Sequence, residues 1–352
     1  MKRLVHAILS LLAALAAAPA PAGAQSLSEV DRLRMEVISL RQLNDSLQRE
    51  LQAYTRNYVP DLWASLTGLD PDEDAGMDYS GFGLRGTRKE TLLQREVAAA
   101  VPCFRLPYND IYEQFIEKYT VSRRKSMSYI LGRYNMHLPL FRATFSKYGV
   151  PEDLIPLCIV ESAVSREALS PAGALGMWQI MPATARQYGL TVDECLDERL
   201  VIDRATDAAA RILRDLRRNL GSWELAVLAY NCGAANVRKA IIRSNGSKDV
   251  WTIYDWLPAE TRAYLPSLVA AAYCVKYHDA LEITPRRYAE PRLETYTVRK
   301  PCLMEDLAAA MAMRLDELRR LNCQYVQGLV PEAGMTVTVP PGMGRILEVS
   351  GF

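Results

Sequence analysis

Apolar side chains recur at steps of three and four through most of the chain's middle, a spacing that predicts helices from about residue 91 to 285. The clearest stretch is RATDAAARILRDLRRNLG, in which Ala205, Ala209, Ile212 and Leu216 form one apolar stripe. Arg217 and Arg218 occupy its last turn, where positive charge suits the carbonyl end of a helix, and Gly221 stops it. Ser222 is a good N-cap for the next helix, WELAVLAYN, which runs into Cys232 and Gly233. Upstream, Pro151 sits where a first helical turn tolerates proline, and Leu154, Leu157 and Cys158 follow at the same steps. The next member of that stripe is Glu161. An ionised carboxylate buried without a partner is costly, so a glutamate in an apolar row needs a reason to be there.

Different patterns flank this region. Residues 27–55 read as a polar helix in which Val30, Leu33, Val37, Leu40, Asn44, Leu47 and Leu51 make a short heptad seam. Asn44 resembles the polar seam residue that fixes register in two-stranded coils; dimerisation through residues 30–51 and docking of this helix on its own protein both fit. Residues 56–99 read as a linker or extended wrap, richest in Gly, Asp and turn formers over residues 66–90. After about residue 290 the period changes. ETYTVRK alternates like a strand, LMEDLAAAMAM and LDELRRLN read as two short helices, and MTVTVPP is a strand again. The expected fold class is therefore mainly α: a helical domain over 100–288, then a small α+β module of βααβ order over 292–343.

Residues 1–24 narrow the location. Lys2 and Arg3 precede the apolar run LVHAILSLLAALAAA, and Ala22 and Ala24 offer small residues to a signal peptidase. A cleaved signal peptide ending near Ala24 is expected, hence a periplasmic or secreted protein. The next residue is Gln25 and the first cysteine is Cys103, so a lipid-anchored N-terminus is not indicated. No later segment has the roughly 18 consecutive apolar residues of a membrane span. The formal net charge of +1 argues against nucleic acid as a partner. Only His137 and His278 remain after signal removal and the cysteines lack close pairs, so neither a metal nor any other cofactor is expected. The seven cysteines, an odd count in an exported chain, leave at least one outside any internal disulfide.

Three stretches could converge on the inward glutamate: ESAVSREALSPAGALGMWQIMPATARQYGL from residue 161, AYNCG from 229, and PAETRAYLP from 258. Gly173 and Gly176 beside Trp178 and Gln179 let backbone approach a ligand while an aromatic ring and an amide supply contact. Tyr230 and Asn231 add a phenol and a second amide. Sugars fit such a groove, because they present hydroxyls at their rims and apolar C–H faces. Together with YGVPEDLIPLCIVES and LDERLVIDRATDAAARIL, these stretches resemble the lytic murein transglycosylases of the goose-lysozyme-like superfamily, of the membrane-bound D type, over roughly 100–285.

That resemblance implies a lysozyme-like catalytic domain acting on peptidoglycan glycan strands. It implies Glu161 as the sole catalytic acid and base, and Ser162 as a hydroxyl contacting the sugar. The family's GxxQ-like segment falls on Gly176, Met177, Trp178 and Gln179, its AYN motif on Ala229, Tyr230 and Asn231, and a groove tyrosine on Tyr264. Hydrolytic glycosidases usually carry a second carboxylate about 5 to 9.5 Å from the first. None of the matched stretches supplies one; Glu167, Asp193, Glu194 and Asp197 read as surface charges. The implied reaction is an intramolecular one giving 1,6-anhydro-muramoyl ends. A hydrolytic muramidase on the same scaffold and a non-catalytic wall-binding scaffold are the rival readings. The C-terminal unit resembles a LysM module, which binds N-acetylglucosamine-containing glycans: YTVRK fits the first strand, LDELRRLN with Asn322 the second helix, and GMTVTVP the last strand. It departs from the pattern where Pro301 and Cys302 stand in place of the usual GDTL turn. Cys302 and Cys323 are candidates for a staple within it. Cys158 and Cys232 could be bonded to each other or be small apolar residues.

Overall fold

The computed structural model describes residues 88–105, 110–288 and 292–352. The expected signal peptide, the heptad stretch over 27–55 and the linker up to residue 87 lie outside the described residues. Helix α1 (Arg88–Ala100) begins within the stretch expected as linker. Its Val97 and Ala100 are buried, Lys276 Nζ donates to the Ala99 carbonyl at 2.6 Å, and the Tyr273 hydroxyl donates to Glu96 Oε2 at 2.8 Å. The turn formers of residues 66–90 mask an apolar face that starts only at their end.

The helical lobe continues through α2 (Asp110–Glu117), a π-helical turn (Lys118–Ser122) and α3 (Arg124–Lys147). It goes on with α4 (Leu157–Ser162), α5 (Pro182–Gln187), α6 (Ile202–Leu220), α7 (Trp223–Cys232), α8 (Ala234–Arg243), α9 (Val250–Ile253) and α10 (Ala259–Tyr277). The stripe of α6 packs inward as its spacing requires, Gly221 ends it in the left-handed conformation, and the Ser222 hydroxyl caps α7 by accepting from the Leu225 amide at 3.2 Å. The centre of the lobe is α10, which is apolar around most of its circumference and contacts α1, α2, α4 and α7. A helix apolar all round belongs inside a core.

A second, smaller core follows. Strand β1 (Glu294–Thr297) pairs antiparallel with β4 (Thr336–Val339), Glu294 opposite Val339; β2 (Cys302–Leu303) pairs with β3 (Leu329–Val330), Cys302 opposite Val330. Between them lie α11 (Met304–Ala310) and α12 (Leu315–Leu321), and α13 (Met343–Val349) closes the unit with Leu347 buried. Asn322, buried at the end of α12, donates through Nδ2 to the carbonyls of Leu318 and Thr338 and accepts the Thr338 amide at 2.6 Å, so it ties helix to strand. Among the described residues no disulfide forms: neither Cys302 with Cys323 nor Cys158 with Cys232 is bonded.

The segment leading out of the helical lobe is strapped onto α3. The Arg286 amide donates to the Ser128 carbonyl at 2.8 Å, the Ser128 hydroxyl donates to the Thr284 carbonyl at 2.5 Å, and the Arg286 guanidinium lies 4.8 Å from the Tyr129 ring centroid. Gly132 makes this approach feasible, since a Cβ there would stand 2.1 Å from the Arg286 carbonyl oxygen. Among the described residues no helix is long and apolar enough to cross a membrane.

Candidate active site

The stripe that ends in Glu161 is buried as its spacing predicts, but it is not one helix. After Pro151 the chain makes a 3₁₀ turn (Glu152–Leu154), and α4 starts only after Pro156, which has no N–H to continue a ladder. The helix stops one residue past Glu161, and Ala163 and Val164 then take left-handed conformations with φ of 50° and 61°. Two adjacent non-glycine residues there cost energy, more so for a β-branched valine, and such strain collects where the surrounding structure must hold a group in place.

Glu161 is 8% exposed, and its Oε1 accepts a hydrogen bond from the Tyr264 hydroxyl on α10. Burial pushes its carboxyl up to about 8, against the opposing pull of the Tyr264 bond and with help from the Glu260 charge. Burial is the larger effect, so at neutral pH Glu161 is mostly a neutral acid with a proton to give. Glu260 lies four residues before Tyr264 and is exposed, a neighbour that the i, i+4 spacing in PAETRAYLP could have revealed.

Beside Glu161 runs the Gly173–Ile180 loop, whose carbonyls are tied down one by one. Ser162 Oγ donates to the Met177 carbonyl at 2.9 Å and the Tyr230 hydroxyl to the Trp178 carbonyl at 2.8 Å. Gln179, itself at φ 45°, donates through Nε2 to the carbonyls of Ala168 and Gly176. Gly176 needs its glycine twice over: its φ is 86°, and a Cβ would meet the Arg199 carbonyl oxygen at 2.4 Å. Asn231 follows Tyr230 at the end of α7 and accepts from the buried Thr261 hydroxyl at 2.8 Å.

The structure thus brings Glu161, Ser162, Gly176, Gln179, Tyr230, Asn231 and Tyr264 together, and it corrects the part expected of several side chains. Trp178 is 0% exposed, with its ring against Phe141 and Phe145 and its Nε1 donating to Thr206 Oγ1 at 3.0 Å, so it is a core residue and no sugar platform. Met177 is buried as well, and the 3% exposed Ser162 already spends its hydroxyl proton inside the protein. Asp197 is no surface charge: it is buried and paired with Arg199 at 2.6 Å. Glu167, Asp193 and Glu194 are exposed, as read from the sequence. Among the described residues no cluster of three or more His, Cys, Asp or Glu could hold a metal ion.

The helical lobe thus holds a buried, raised carboxyl, hydrogen-bonded by a tyrosine and flanked by a glycine-hinged loop. Residues 139–253 match the family described as Transglycosylase SLT domain. Membrane-bound lytic murein transglycosylase D of Escherichia coli K12 is 31% identical over 226 residues, covering 62% of this chain and 48% of that one. Peptidoglycan transglycosylase gp16 of Escherichia phage T7 is 32% identical over 150 residues, covering 40% of this chain and 11% of the phage protein. Among solved structures, the 70 kDa soluble lytic transglycosylase of Escherichia coli aligns at 25% identity with a TM-score of 0.36, covering 43% of this chain and 26% of that one. The chain spans about half the length of its Escherichia coli relative.

Proposed function

We propose that the protein is a lytic transglycosylase that cleaves the β-1,4 bond between N-acetylmuramic acid and N-acetylglucosamine in peptidoglycan outside the cytoplasm. The observation that carries this reading is the raised, buried carboxyl of Glu161 under the Tyr264 hydroxyl. Protonated Glu161 gives its proton to the glycosidic oxygen, and the C1–O bond breaks as the acetamido group of the muramoyl sugar supports the cation. The Glu161 carboxylate then takes the proton of the C6 hydroxyl while O6 bonds to C1, which restores the acid and leaves a 1,6-anhydro end without consuming water. Tyr264 orients the carboxyl for both transfers, and the amide groups not already bonded inside the protein, Gln179 Oε1 and Asn231 Nδ2, meet the sugar. The family match at residues 139–253 and the names of the relatives support this reading.

The C-terminal unit, with its LysM-like sequence pattern, is the second glycan contact in this proposal. The test is a muropeptide digest by the purified protein, read by mass spectrometry. Anhydro ends are expected, lighter by one water than the reducing ends a hydrolase would leave. Glu161→Gln is expected to lower turnover by 10² to 10⁴, the usual worth of a general acid–base group. Unchanged turnover would remove the assigned acid.

A further inference from the structure

The loop beside Glu161 is gripped from behind by one arginine. Arg199 Nη1 donates to the carbonyls of Gly173 at 2.8 Å and Ile180 at 2.9 Å, the two ends of the loop. Its own carbonyl lies under Gly176. Its Nη2 and Nε donate to Asp197 at 2.6 and 2.9 Å, and both side chains are buried. Such a pair returns little net stability, because taking two charges out of water costs about as much as their attraction yields. What a planar guanidinium fork does supply is fixed geometry.

Asp197 is in turn held by the C-terminal unit. Its amide donates to the Gln324 carbonyl at 2.9 Å, the Val326 amide donates to the Cys195 carbonyl at 3.1 Å, and Leu196 between them packs on the second core. The Arg166 guanidinium adds a bond to the Arg320 carbonyl. Bonded groups therefore run without a break from Gln324 through Asp197, Arg199 and the loop to Ser162, the neighbour of Glu161.

We propose that Asp197 and Arg199 are positioning residues for the reaction at Glu161, and that the C-terminal unit is the brace that keeps them in place. With the brace seated, the Gly173–Ile180 loop is locked beside the acid. With it unseated the loop loosens, and turnover falls while substrate is still bound along the rest of the groove. The inference rests on the reading of Glu161 as the proton donor.

The test uses the full chain carrying Leu196→Asp, which places a charge against the second core while leaving Asp197 and Arg199 intact. The expected result is a kcat lowered at least tenfold with KM within threefold, and faster amide exchange at Gly176, Gln179 and Ile180. Leu196→Met is expected to restore wild-type kcat, and Arg199→Lys, which lacks the fork, to reproduce the kcat loss. Should Leu196→Asp fail to fold, Leu196→Ala carries the same comparison in milder form. The proposal is overturned if exchange quickens at Asp197 and Val326, marking an unseated brace, while loop exchange and kcat stay at wild-type values. Exchange is read without substrate, so it decides the brace even if the wild-type chain turns over no glycan, which would count against Glu161 instead.

Discussion

Glu161 and Trp178 show how side chains in one short region divide between chemistry and core. A carboxyl whose native value lies near 8 against an ordinary 4.5 binds its proton more tightly folded than unfolded. Its burial therefore costs nothing below pH 4.5, and the penalty grows as pH rises from there towards 8. Glu161→Gln removes the ionisable group, so the variant is expected to be more stable than wild type at pH 8, by about 4 kcal/mol, and equal to it at pH 4. Denaturant unfolding at the two pH values checks this. Activity that needs the protonated acid is instead held to neutral pH and falls as pH rises through about 8. Trp178→Phe loses ring volume and leaves Thr206 Oγ1 without its indole donor; we expect a loss of about 2 kcal/mol in thermal or chemical unfolding with KM within twofold of wild type. A direct sugar contact would give the opposite split. The inward face of Trp178 was not legible in the sequence, because a glycine-hinged loop has no period from which direction can be read.

At the level of elements, period was the dependable signal. The α6 stripe, its Gly221 stop and the Ser222 cap all stand where their spacing and chemistry put them. The row ending in Glu161 was legible as a buried face but not as two pieces, since Pro156 interrupts the ladder without disturbing which side chains turn inward. The Asp197–Arg199 pair was hidden in a polar stretch between periodic segments, where its charges looked like surface. Gly176→Ala tests how rigid the loop has to be. The left-handed φ and the 2.4 Å approach to the Arg199 carbonyl leave no room for a methyl group, so we expect a loss of 2 kcal/mol or more in unfolding and a drop in turnover of at least tenfold.

On the scale of the whole molecule, the switch near residue 290 from helical to alternating spacing marked the start of a second core, and two separate cores are what the structure holds. Their junction left no mark in the sequence, because the links between Cys195–Asp197 and Gln324–Val326 run through backbone groups that every residue type carries. The strap over α3 has a practical consequence of its own. Trypsin must draw an extended run of residues into its cleft, and Arg286 is pinned there by its amide and its ring contact while Ser128 holds Thr284. Limited digestion of the native protein should accordingly spare the peptide bonds after Arg286 and Arg287, whereas Ser128→Ala combined with Tyr129→Ala should expose them and release the C-terminal fragment within minutes.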